Sequence, residues 1–221
     1  MAEVKVARVF ADNTGSHGNL LGIVTNGTQV PLEDRLAFAR KVGYSATVFI
    51  DDLTSGAVRI YTPVAELDLA GHPLVGAAWT IGTTPMVLRP PAGVVEAWRE
   101  GDAWWIRAAL GACPPWWHER LHSPADIAAL DEPLHPRQDM TQLWAWEDEA
   151  AGRVRARVFA GRLGIAEDEA CGSATMRLAA ALGCELTVRH GSGSIIHARP
   201  GAAPGTAEIG GRVVAGLSRE I

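Results

Sequence analysis

Cysteine is scarce in this chain: Cys113, Cys171 and Cys184 are its three among 221 residues. So few, and an odd number, cannot build a disulfide framework, which points to reduced thiols in a cytoplasmic setting. Long apolar runs are missing too, so no segment is expected to span a membrane. Residues 1–10 alternate charged and apolar side chains and lack the apolar region of a secretion signal. There is no basic block: 20 basic and 25 acidic residues leave a net charge of −5, which argues against a nucleic acid partner. A small anionic ligand stays open, because a local site can be positive on a negative protein.

What the chain has in quantity is glycine and proline, 24 and 13, which favour short strands joined by tight turns over a helical bundle. Its length suits one large domain or two small lobes around a cleft. Alternation predicts strands at 3–10, 20–25, 47–50 and 57–61, with hairpins at 94–107 and 143–159. Leu32, Leu36, Ala39 and Val42 share one face of a predicted helix over 31–42, stopped by Gly43. Pro73 predicts the start of a second helix through Ile81, because proline is favoured in a first turn. Ser123 to Asp126 resembles a capping box opening a short helix through Leu130. A further helix is predicted from Ala174 to Leu182, with Gly183 as its stop. Strands precede and follow single helices in both halves, which is not the alternation of a doubly wound sheet.

A faint repeat links the halves. Asp68-Leu-Ala-Gly71-His72 and Glu169-Ala-Cys-Gly172-Ser173 each place an acidic residue three before a glycine, ahead of an alanine-rich helix. This predicts two similar lobes, each with one central helix, whose N-termini converge on a cleft. Helix starts offer backbone N–H groups and partial positive charge, which suits a carboxylate and needs no cofactor. His72, Asp168, Cys171 and Ser173 stand at those starts and are candidates to move protons. Each also has an ordinary reading: a solvated histidine, a charge on the helix dipole, a small buried filler, an N-cap serine.

The order and spacing of several segments resemble the PhzF-like (phenazine biosynthesis PhzF) family. They are Arg8-Val-Phe with Gly18-Asn19-Leu-Leu-Gly, Gly43-Tyr-Ser-Ala-Thr-Val-Phe49, Ile60-Tyr-Thr-Pro63 leading to Ala70-Gly-His-Pro73, Gly164 through Ala174, and His190-Gly-Ser-Gly. The resemblance implies an α+β fold like diaminopimelate epimerase: two pseudo-symmetric lobes, each a barrel-like sheet around a central helix. The lobes would be 1–110 and 111–221, the second shortened between Trp117 and Trp144. It implies a cofactor-independent isomerase acting by acid/base proton transfer on a small carboxylate-bearing substrate, without metal, as a homodimer. His72, Asp168 and Ser173 match family active-site positions. Gly71 and Gly172 match the turns at the helix starts, and Gly18, Asn19 and Ser45 stand as substrate-binding candidates.

Two positions depart from that pattern. The family's catalytic glutamate follows Ser45, and here that place holds Ala46, which carries no proton. Cys171 stands where many members have threonine, in a context like the second cysteine of the epimerases; Ala70 stands at their first, so a two-thiol mechanism is not expected. Should the chain be active, Cys171 is a candidate base, since a helix N-terminus favours the thiolate. The alternative is a non-catalytic, or deliberately inactivated, small-molecule binder. His118-Glu-Arg-Leu-His122 fits a zinc-hydrolase pattern, but Pro114, Pro115 and Ser123-Pro124 crowd it, so an exposed connector is expected. Gly191-Ser-Gly193 lacks the rest of a nucleotide fingerprint. The tryptophans are expected to lack interleaved basic residues and read as packing, not as a base-stacking platform.

Overall fold

The computed structural model describes residues 2–130 and 138–221. Strand β1 (Glu3–Ala11) buries Val4, Val6 and Val9 while Glu3, Lys5 and Arg8 face solvent. It pairs antiparallel with β2 (Asn19–Val24), which runs parallel to β3 (Ala46–Asp52). The connection between β2 and β3 carries α1 (Arg35–Val42), which ends on Gly43 in the left-handed region at φ 75°. The helix is shorter than the 31–42 predicted, because Leu32–Asp34 tightens into a 3-10 turn. Arg35 faces back from there, donating to the carbonyls of Val30 and Gly27 and pairing with Asp51.

Strand β3 forms a hairpin with β4 (Ala57–Tyr61), and β5 (Glu66–Leu67) adds to β4. Then come α2 (Gly71–Ile81), β6 (Met86–Leu88) and the predicted hairpin of β7 (Val95–Glu100) with β8 (Ala103–Ala109). The second half begins with β9 (Trp117–Arg120) and α3 (Pro124–Ala128), the latter opened by the Ser123–Asp126 capping box. The hairpin of β10 (Thr141–Asp148) and β11 (Arg153–Ala160) follows, then β12 (Ile165–Asp168) and α4 (Gly172–Leu182). Four more strands close the chain: β13 (Leu186–His190), β14 (Ser194–Pro200), β15 (Thr206–Ala215) and β16 (Arg219–Glu220). Part of the connector expected to be shortened, 131–137, lies outside the described residues.

The described strands join one sheet, and β15 is its hinge line. Along its length β15 pairs with β14, β8 and β1, so the last long strand stitches the two halves together. The sheet curls around α2 on one side of β15 and around α4 on the other: α2 packs on β1, β2, β3, β8 and β15, and α4 on β10, β14 and β15. Leu74, Val75, Ala77 and Ala78 of α2 and Met176, Leu178 and Ala179 of α4 are buried in the same apolar core as Ile106, Val188 and Ile209. This is the α+β architecture expected, with one helix enclosed in each curl. No helix among the described residues is long and apolar enough to cross a membrane.

Three expectations need correction. Both central helices start two residues early, at Gly71 and Gly172, because Leu74 and Thr175 already donate back to the carbonyls of Ala70 and Cys171. Residues 117–120, expected as an exposed connector, are mostly exposed but form strand β9, paired in parallel register with β10. A strand sends neighbouring side chains to opposite faces, so the helical geometry of a zinc site is missing; His118 Nε2 instead lies 2.9 Å from the Ala174 carbonyl. Basic residues do interleave the tryptophans, in sequence at Arg99, Arg107 and Arg120 and in space, where Arg107 lies over Trp98 and Arg199 over Trp105. These arginines are ion-paired with Glu96, Glu100 and Glu208, so the stack presents no free positive face.

Candidate active site

The starts of α2 and α4 touch. A Cβ on Gly71 would stand 3.2 Å from Gly172 Cα and 2.6 Å from Ile209 Cδ1, and one on Gly172 would stand 3.3 Å from Gly71 Cα. A side chain at either place would push Ile209 and the facing backbone aside, so the repeated glycine of the sequence is where the two helix starts meet. Neither helix start has a side-chain cap, so two sets of N–H groups and two partial positive charges sit side by side. The predicted convergence is the observed geometry.

Beside this contact lies a cavity of about 40 Å³. Ser45, Ala46, Gly71 and His72 line it from the first lobe; Asp168, Cys171, Gly172 and Ser173 line it from the second. Ala46 opens β3, and the two-residue period puts it on the inner face with Val48 and Ile50. Its side chain is buried in the wall and brings no titratable group.

Asp168 enters from the end of β12, which pairs with β11 and so holds the residue beside α4. Its Oδ1 accepts from Asn19 Nδ2 at 2.5 Å and from the Ala170 N–H at 3.2 Å. Asn19 also donates to the Ala170 carbonyl at 3.1 Å and lies 3.4 Å from His72 Nδ1. Burial pushes the His72 pKa down to about 4, against the upward pull of Asp168's charge. The imidazole is therefore neutral near neutral pH.

Cys171 does not behave as the helix position alone suggests. It is the N-cap residue of α4 and is buried, and burial together with Asp168's charge raises its thiol well above the ordinary range. Desolvation and Asp168's charge thus oppose the thiolate that the helix start favours. Ser173 lies within the first turn and is not the N-cap: its Oγ accepts from Trp116 Nε1 at 2.7 Å, which orients the hydroxyl at the cavity. Trp116 also lines the cavity, and nothing in its sequence context marked it.

The remaining candidates divide. Ser45 lines the cavity, and its Oγ is buried without a partner among the described residues. Gly18 and Asn19 instead line an adjoining hollow of about 430 Å³, which also reaches Ser45, Arg8 and His17. Gly18 is in the left-handed region at φ 85°, and its N–H donates to Ser194 Oγ. The Gly191–Gly193 turn serves the protein's own carboxylate: Glu169 accepts from the Ser192 N–H and from the hydroxyls of Ser192 and Ser194. Among the described residues no group of three His, Cys, Asp or Glu side chains is placed to hold a metal.

Residues 7–115 match the family model for phenazine biosynthesis-like proteins, PhzC-PhzF. An uncharacterized isomerase of Pasteurella multocida is 31% identical over 104 residues, covering 43% of this chain and 36% of that protein. The trans-2,3-dihydro-3-hydroxyanthranilate isomerase of Pseudomonas fluorescens is 34% identical over 68 residues, covering 29% and 24%. These matches thus span about a third or less of the length of either relative. The structure of a PhzF-family phenazine biosynthesis protein from Bacillus anthracis superimposes with a TM-score of 0.80 at 17% identity, covering 100% of this chain and 98% of that one. The chain is PhzF-like in sequence over its first half and in fold throughout.

Proposed function

From this PhzF-like standing, we propose that the chain is a cofactor-independent isomerase that shifts a proton on a small carboxylate-bearing metabolite, with Asp168 as proton carrier. The observation that carries this reading is the joint placement of Asp168 and His72 at a cavity flanked by two uncapped helix starts. The helix starts hold the substrate carboxylate through backbone N–H groups. With Ala46 in place of a glutamate and Cys171 held as a thiol, Asp168 is the cavity's remaining carboxylate. It takes a proton from carbon and returns it to another carbon of the same molecule, so no redox partner is required. We read the lobes as 1–110 and 111–221 and the working unit as a cytoplasmic homodimer.

Ala46 favours a second reading, a binding protein that keeps the carboxylate site and has lost the chemistry. Deuterium incorporation in D2O, followed by NMR on small hydroxy and amino acids, separates the two. The isomerase reading expects exchange in the native chain, abolished in Asp168→Asn and retained in Cys171→Ser. Exchange that arises only in Ala46→Glu identifies a disabled isomerase. No exchange in either, with ligand binding verified, leaves the binding protein.

A further inference from the structure

His72 is uncharged in the fold, so one ring nitrogen holds a hydrogen and the other a lone pair. Asn19 decides which. Its Nδ2 faces two oxygens, Asp168 Oδ1 at 2.5 Å and the Ala170 carbonyl at 3.1 Å. Turning the amide over would set the Asn19 oxygen against a carboxylate and a carbonyl, with no hydrogen between them. The nitrogen therefore faces these groups, and its two hydrogens point at them. His72 Nδ1 lies 3.4 Å from that same nitrogen. An amide nitrogen has no lone pair free to accept a hydrogen from Nδ1, so Nδ1 carries the lone pair and Nε2 the hydrogen. Nε2 is buried, without a hydrogen-bond partner among the described residues, on a side chain that lines the cavity.

We infer that Asn19 is a positioning residue that locks His72 as an Nε2–H donor, so that His72 polarises a substrate oxygen and takes no proton from carbon. This deepens the isomerase reading and rests on it. A neutral imidazole at a helix start is suited to polarising a carbonyl, because the helix dipole disfavours imidazolium and the N–H needs no reorganisation. The Asn19 amide hydrogens are spent within the protein, where one group orients both Asp168 and His72.

The tautomer is directly readable. Long-range proton–nitrogen NMR spectra of the full 15N-labelled chain near pH 7, with no ligand added, report the hydrogen on each ring nitrogen. His72 is assigned by the signals lost in His72→Gln. The expected result is a protonated Nε2 and a bare Nδ1 in the native chain, with averaged signals of both tautomers in Asn19→Ala. Asn19→Asp, similar in shape but presenting only acceptors, is expected to draw the hydrogen to Nδ1. A protonated Nδ1 in the native chain overturns the proposal, whether or not either variant folds. A folded Asn19→Ala that keeps a pure Nε2–H signal also overturns it. Because no substrate enters the measurement, its failure is distinguishable from a failure of the exchange experiment.

Discussion

Gly71 of α2 and Gly172 of α4 occupy equivalent places and touch, yet the residues beside them have little chemistry in common. The first lobe brings a neutral histidine, the Ser45 hydroxyl and, from β3, an alanine. The second brings a carboxylate, a thiol and a hydroxyl. Backbone geometry is thus repeated, whereas the proton inventory is one-sided. Either helix start offers free N–H groups, but among the described residues only the second lobe has a carboxylate of its own at the cavity.

The equivalence of the frames can be broken by truncating the centre of each helix. Leu74 and Met176 are fully buried. Leu74→Ala and Met176→Ala are each expected to cost about 3 kcal/mol in urea unfolding, within the spread for such cavities. Similar costs support two equally packed frames. A cost below about 1 kcal/mol at one site would show that its lobe relaxes around the void.

A comparably large effect comes from the first lobe's histidine. His72 has a folded pKa of about 4 against an ordinary 6.5, so the unfolded chain binds its proton first. Its contribution is complete above pH 6.5, is lost progressively as pH falls toward 4, and levels off below that; the full loss is about 3 kcal/mol. His118, His190 and His197 are shifted the same way, chiefly by burial, and add to the slope. Comparing the pH dependence of unfolding in native chain and His72→Gln isolates this share. An unchanged slope between pH 7 and 4 would return His72 to ordinary solvation.

The smallest effect sharpens the second lobe. Mild iodoacetamide treatment near neutral pH is expected to label half-buried Cys184 and spare Cys171 and Cys113, whose burial raises both thiols. Peptide mass spectrometry reads this directly. Early labelling of Cys171 would restore the thiolate at the α4 start.

Much of the frame was legible in order. Period-two alternation marked most long strands, Gly43 and Gly183 marked helix ends, and the 101-residue spacing of Gly71 and Gly172 marked the contact between lobes. The acidic residues of that repeat were misleading. Asp68 is exposed and Glu169 binds Ser192 and Ser194, while Asp168, one residue earlier, reaches the cavity. A strand's two faces differ by a single step, and the sequence marks the glycine more clearly than the face. Trp116 was invisible because its partner, Ser173, lies 57 positions away.

The sequence by itself determined which residue types are available: an alanine at 46, a carboxylate at 168, a histidine at 72 and a glycine at each helix start. It also determined most elements, because turn chemistry and side-chain period act over a few neighbours. Only the tertiary structure decided protonation. Whether Cys171 is a thiol or thiolate, and whether His72 is charged, depends on how much water the folded lobes exclude and on the distance to Asp168. Those quantities come into being when β12, α2 and α4 meet, since desolvation and Coulomb forces act through space and not along the chain.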